Sequence, residues 1–494
     1  MLARDVDSSV DQELKRAVGA ENVSNDAATL KSFAVDCSLV TGTCPDFVVF
    51  PRSKAEVCAI VRIANQHRIA LVPVSSGPPR FHGDTLPSRG GIVVDFRRMR
   101  QVIKVDTVSR CAMVEPGVTF GELVPALEGQ GMRLNAPLAP RANKSVVTSC
   151  LEREATLIPK YQYDSMDPLL TVEVIYGSGD EFRTGSASGP GPPESLKAAK
   201  VNPWGPGAVD YYRLLSAAQG SMGLVTWGVI RTEVLPTLRK LYFIPLDRPE
   251  QLSAPLDALL RKRVVDECLA LNDANLATLL AEDARKDFAS LKAALPPWTI
   301  IACVAGYQRR AAERVAIQEQ YLSEICGSLG LQAQKRLPGA PGLEEAVLEV
   351  ISRPWSKEPY WKLRRTDRCY ELFFLAPLSK AGYFVELMQD IVATSRCREL
   401  EYGAYVQPLV QGREAHCAFL LPFESSNKEE AVAAGELFLS ASETLMSKGA
   451  FFSRPYGPWA PMVYRNYADG AAMLKTLKSI FDPNGILNPG KLCF

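Results

Sequence analysis

The chain has 494 residues, too many for one ordinary hydrophobic core, so two or three units sharing a surface are expected. It is 47% hydrophobic and 22% charged, the balance of a globular protein, and its formal net charge of +1 gives no electrostatic ground for a nucleic-acid or anionic-membrane partner. The opening MLARDVDSSVDQEL carries acids and no apolar leader core, and no stretch reaches bilayer-spanning length. The 12 cysteines form no CxxC pair, so neither zinc nor an iron–sulfur cluster can be read from their spacing. A cytoplasmic protein with no transmembrane segment, no nucleic-acid partner and no metal is the expectation.

The pattern becomes readable at Phe47. FVVFPRS reads as a buried strand ending in a turn, AEVCAIVRIANQHR has Val57, Ile60, Val61 and Ala64 at helical spacing, and IALVPV is a second strand. GGIVVDF and CAMVEPGV follow as strands and GELVPALEGQGM as a short helix. LLTVEVIYGSGDEFRTG is a strand pair turning at Gly177 to Asp180. The Gly-, Pro- and Ser-rich connection from Ser186 to Gly207 is a surface loop or a lid. GLVTWGVIRTEVLP closes this half. Beyond about Leu241, amphipathic helices (RPEQLSAPLDALLRKR, RRAAERVAIQEQYLSEICGSLG, AGYFVELMQDIVATSRCREL) alternate with strands (WTIIACVAGY, CYELFFLAPL, AHCAFLLPF), which predicts an α+β unit on an antiparallel sheet. A helix, AAGELFLSASETLMSKG, precedes an aromatic tail.

The stretch PVSSGPPRFHGDTLP, Pro73 to Pro87, runs directly out of a strand. Such a turn offers backbone N–H groups to one space, which is how phosphate is held with few charged side chains. Gly77 and Gly83 permit close approach, prolines stiffen the loop, Ser75, Ser76 and Thr85 add hydroxyls, and Arg80 adds charge. Alone, such a sequence is more often only a turn. The order of FPRSKAEVCAIVRIANQHRIALVPVSSG, GGIVVDFRRM, VEPGVTFGEL, LLTVEVIYGSGDEFRTG, GSMGLVTWGVI and FDPNGILNPGK, however, resembles that of the vanillyl-alcohol oxidase type of FAD-linked oxidoreductases, which includes p-cresol methylhydroxylase and the glycolate oxidase and D-lactate dehydrogenase flavin subunits.

That resemblance implies an α+β fold: a two-part FAD-binding domain (1–236), a substrate cap domain on an antiparallel sheet (237–440), and a C-terminal segment (441–494) returning to the FAD domain. It implies FAD as cofactor. The implied cofactor-binding residues are Ser75, Ser76, Gly77, Arg80, Phe81, His82, Gly83 and Asp84 on the pyrophosphate loop; Pro116, Gly117 and Val118 on a flavin-side turn; Ser145; Gly220, Ser221, Gly223, Leu224 and Val225; and Asn488, Gly490 and Lys491. The chain departs from the family in having few glycines in this loop and in PRANKSVV, Pro140 to Val147, where Arg141 and Lys144 offer charge instead.

The resemblance also implies removal of a hydride from an alcohol or benzylic carbon, with Tyr464 and Arg465 holding an anionic oxygen and His82 or Tyr163 assisting proton transfer. Packing and surface ion pairing are the ordinary alternatives for each. Tyr161 falls beside Tyr163 in a candidate aromatic lining. The acid that phenol oxidisers carry before their glycine run is missing here, Pro140 and Arg141 standing in its place, which leans toward an anionic substrate. His416 is a lone histidine at a strand start, Arg364, Arg365 and Arg368 are a carboxylate clamp or a solvated turn, and Pro354 to Trp361 supplies aromatic walls or a loop. A para-substituted phenol and a 2-hydroxy acid stay open as substrates. A homodimer or an iron–sulfur or cytochrome electron-transfer subunit are the partners implied. The alternative from another class is a non-catalytic or electron-relaying subunit that has lost tight flavin binding.

Overall fold

The first buried segments, Phe47–Val49, Leu71–Val74 and Ile92–Asp95, pair in parallel with Ile92–Asp95 in the middle, and Val23–Ser24 adds an antiparallel edge. Parallel neighbours need a crossover, and the helix Lys54–His67 supplies it, burying Val57, Ile60, Val61 and Ala64 as their spacing predicts. Ser53 caps that helix by accepting from the Glu56 N–H, while the Glu56 carboxylate accepts from Arg52 N–H at 2.7 Å. In this computed structural model residues 8–160, 168–187 and 211–494 are described. Tyr161, Tyr163 and most of the connection from Ser186 to Gly207 lie outside them.

A second, wholly antiparallel sheet has the order Val102–Asp106, Cys111–Val114, Leu224–Arg231, Leu169–Ile175, Glu181–Arg183. Together these two sheets make up the part of the chain expected to be the two-part FAD domain.

The cap is a six-stranded antiparallel sheet in the order Leu238–Leu246, Trp298–Gly306, Cys268–Asn272, Gly403–Leu409, Glu414–Phe423, Arg368–Pro377. Its last two strands are two-sided. Leu372, Phe374, Cys417, Phe419 and Leu421 enter the core formed with helices Ser253–Arg261, Ala311–Ser328, Ala381–Thr394 and Lys428–Ser447. Glu371, Phe373, His416, Ala418 and Leu420 line a cavity. Three cap strands, Leu238–Leu246, Cys268–Asn272 and Gly403–Leu409, are additional to those read from the sequence. No helix among the described residues is long and apolar enough to cross a membrane.

The chain's last segment ties the two halves of the FAD domain together. Lys478 Nζ donates to Ser221 O at 2.7 Å and Leu487 O at 3.0 Å and pairs with Asp482 at 2.7 Å. Asn488 Nδ2 donates to both Asp84 O (2.8 Å) and Gln219 O (2.6 Å). Lys491 Nζ donates to Gly83 O (2.7 Å) and Leu86 O (2.8 Å).

Candidate active site

A cavity of about 200 Å³ runs between the FAD domain and the cap. Its FAD-domain wall is built from the loop after Leu71–Val74 and the segment before Leu224–Arg231, with Pro116 and Thr148 between them. Ser75, Ser76, Arg80, Phe81, His82, Asp84, Gly220, Gly223, Leu224 and Val225 all line it. Gly220 has φ +70°, and a Cβ there would stand 2.2 Å from Pro73 Cγ, so the two segments meet only because this residue has no side chain.

The remaining expected cofactor residues lie behind that wall and shape it. Gly77 N–H donates to Asn143 O at 3.1 Å, and Gly83 N–H to the Asp36 carboxylate at 2.7 Å. Gly117 packs so that a Cβ would sit 2.4 Å from Phe96 O, and Val118 is fully buried. Ser145 Oγ donates to Pro116 O at 2.6 Å while its N–H donates to Ser76 Oγ at 3.0 Å. Ser221 Oγ donates to Ala218 O at 2.6 Å. Gly490, at φ +80°, packs on Ser88, and Asn488 and Lys491 brace the loop through its carbonyls.

The PRANKSVV segment spends its charges locally. Arg141 donates to Gly77 O and Lys144 bridges Glu152 (2.7 Å) and Glu154 (2.8 Å), both on the cavity. One ammonium shared by two carboxylates splits their behaviour. Burial raises the Glu152 pKa, whereas at Glu154 burial is outweighed by Lys144 and by Ser149, whose hydroxyl donates at 2.6 Å, holding the carboxyl at about 2. Glu154 thus brings to the site an acid that the residues at 140 and 141 lack.

The cap side is made of side chains. Phe373 is its hub: the ring centroids of His82 and His416 each lie 5.6 Å away, and the Arg454 guanidinium sits 4.1 Å over its face. Arg454 is buried, lines the cavity and, among the described residues, has no ion pair. Tyr456 stacks on His82 at 4.5 Å. His416 is pushed down to about 3 by burial and by Arg454, so it is a neutral ring. Glu371 is buried too, but Lys362 at 2.6 Å and His82 at 3.5 Å outweigh that and hold its carboxyl well below the usual range. Tyr360 and Trp361 complete an aromatic wall, one of the two outcomes left open for Pro354 to Trp361.

The structure does not bring Tyr464 or Arg465 to this cavity. They end the helix Trp459–Arg465, which points them outward: Tyr464 is half-buried and Arg465 exposed. An arginine and a tyrosine just before that helix, Arg454 and Tyr456, line the site instead, and the nearby Pro455 and Pro458 were the signal that this stretch is not helical. Arg364, Arg365 and Arg368 donate to backbone carbonyls (Ala281 and Glu282, Glu401, and Asp36 respectively), which makes them structural.

The wall fits FAD by its unmet polar atoms. Among the described residues Arg80 Nε and Thr85 Oγ1 on the loop, and Trp361 Nε1 and Tyr456 Oη opposite, are buried without a protein partner, and all four residues face the cavity. The comparisons agree. The chain matches the FAD binding domain family over residues 45–185 and the C-terminal domain of FAD linked oxidases over residues 460–492. The chain is an FAD-linked oxidase of the vanillyl-alcohol oxidase and p-cresol methylhydroxylase family. Among relatives of this FAD-linked oxidase, glycolate oxidase subunit GlcD of Bacillus subtilis is 23% identical over 99% of this chain and 97% of its own. D-2-hydroxyglutarate dehydrogenase of Stutzerimonas stutzeri is 24% identical over 98% and 99%. In fold the chain is similar to p-cresol methylhydroxylase solved with substrate bound, with a TM-score of 0.82 at 19% identity, covering 99% of this chain and 96% of that one.

Proposed function

We propose that this FAD-linked oxidoreductase oxidises the alcohol carbon of a 2-hydroxy acid that carries an apolar or aromatic side chain. One observation carries the reading: Arg454 is a buried guanidinium that faces the cavity with no ion pair among the described residues. A buried cation without a counter-charge is costly, and a substrate carboxylate offers it two parallel hydrogen bonds. Phe81, Tyr360 and Trp361 supply the apolar walls. The near-full-length relatives named for glycolate and D-2-hydroxyglutarate support the 2-hydroxy-acid class.

In this reading Arg454 holds the anion, His82 takes the hydroxyl proton, and neutral His416 flanks the reacting carbon. Arg80, with the loop amides around Ser75 to Asp84, would hold the cofactor's pyrophosphate. Bound FAD supplies the hydride acceptor. A para-substituted phenol is the second reading, favoured by the unpartnered Tyr456 hydroxyl, which would donate to a phenolate held on Arg454. The name of the GlcD relative marks it as a subunit, so we extend the proposal to electron delivery into an iron–sulfur or cytochrome partner.

The test is anaerobic bleaching of the bound flavin at 2-hydroxy acids of increasing side-chain size, in both enantiomers, beside 4-hydroxybenzyl alcohols. Bleaching by the acids alone supports the first reading and by the phenols alone the second; bleaching by neither removes both.

A further inference from the structure

His82 is the one residue of the cofactor loop that also belongs to the cap's charge network. Its Nε2 is buried, has no hydrogen-bond partner of good geometry, and lies 3.5 Å from Glu371 Oε2. An unprotonated Nε2 would turn its lone pair on a carboxylate oxygen, whereas a protonated one turns an N–H on it. The electrostatics therefore assign the proton to Nε2. Glu371 is not free to swing away: its other oxygen is held by Lys362 Nζ at 2.6 Å, and both residues are largely buried on the cavity. Tyr456, stacked 4.5 Å away and nearly parallel, fixes the plane of the ring, and Phe373 meets it edge-on at 5.6 Å.

We propose that Glu371, pinned by Lys362, is a positioning residue that keeps the His82 proton on Nε2, so that Nδ1 is the proton acceptor of the site. The inference rests on the proposed oxidation of an alcohol. There the substrate O–H bond would break with its proton passing to Nδ1, and FAD, when bound, would accept the C–H hydrogen with its electron pair. The imidazolium so formed faces an anion already in place. The arrangement resembles the carboxylate–histidine pairing of hydrolytic triads in logic alone, with a lysine added behind the carboxylate.

The charged and titratable groups around His82 are Glu371 and Lys362 from the cap, Arg454 and Tyr456 from the C-terminal segment, Asp84 on its own loop, and Glu152 beyond Lys144. Of these, Glu371 lies in direct contact and Lys362 acts through it, so their removal has different consequences. The experiment is long-range ¹H–¹⁵N spectroscopy of the flavin-loaded protein labelled at histidine. The chain has three histidines, His82 is assigned by H82N, and His67, paired with Glu13, is the internal control. Expected are an Nε2–H tautomer for neutral His82 in the wild type and in K362M, and a gain of the Nδ1–H tautomer in E371Q, whose amide can donate to the ring. An Nδ1–H tautomer in the wild type, or a tautomer unchanged in E371Q, overturns the proposal. If E371Q loses its flavin or its fold, E371D, which keeps the charge, and K362M decide the matter by the same readout. The spectroscopy needs no substrate. His82 shifts as expected in a protein that no 2-hydroxy acid or phenol reduces therefore support Glu371 as the positioning residue and remove only the substrate reading.

Discussion

The two walls of the cavity are made differently. The FAD-domain wall is backbone held in place: a proline-stiffened loop and the Gly220 segment, with Asn488 and Lys491 gripping carbonyls from behind. The cap wall is side chains on a rigid sheet, with Glu371, Phe373, His416 and Tyr405 projecting from neighbouring strands in register. A backbone cradle suits a cofactor common to many enzymes, and a side-chain wall suits a substrate that differs among them. Damage to one wall should therefore appear in flavin affinity and damage to the other in turnover.

The largest effect belongs to the cap wall. Arg454→Met should lower kcat/KM about a hundredfold or more, with the flavin spectrum and its dissociation constant unchanged, because a desolvated anion loses the buried guanidinium proposed to hold it. On the other wall, Lys491→Met strands the Gly83 and Leu86 carbonyls. That should cost about 2–4 kcal/mol in denaturant unfolding and weaken flavin binding in fluorescence titrations, while turnover of the flavin-saturated enzyme changes little.

His416 gives the comparison a pH axis. Its ordinary value of 6.5 falls to about 3 in the fold, so below pH 6.5 the unfolded chain binds a proton that the folded chain refuses. This contribution to stability is complete above pH 6.5, has fallen by about 2 kcal/mol at pH 5, and goes on falling toward pH 3. Melting temperatures of His416→Gln should accordingly vary less between pH 6.5 and 5 than those of the wild type. The smallest effect is at Arg465: its exposure puts Arg465→Met within about 0.5 kcal/mol of wild type in stability and within about twofold in rate. Exchange of the expected outcomes for Arg454 and Arg465 would reverse the assignment of the anion site.

The same contrast explains what the sequence disclosed. The cofactor wall was legible because backbone-driven binding leaves Gly, Pro and Ser in a fixed order along the chain, as from Pro73 to Pro87 and from Gly220 to Val225. The cap wall was not. Glu371 is one of several acids in strands, and only pairing with Glu414–Phe423 shows which face it takes. Lys362 and His82 meet it from segments with no shared pattern. The arginine and tyrosine of the site were expected at 464 and 465 because those residue types stand there, but the turn of the helix Trp459–Arg465 carries them outward and leaves Arg454 and Tyr456 inside. The cap strands Cys268–Asn272 and Gly403–Leu409 are short, and the second contains a proline, so neither shows clear alternation.

The bond from Lys491 to Gly83 joins residues 408 apart in the chain. At translation speeds of about 5–20 residues per second, the cofactor loop waits roughly 20–80 s after its own synthesis before its clasp exists. Flavin loading in this protein thus waits for Lys491, and until then the proline-stiffened cradle of the nascent polypeptide lacks its clasp.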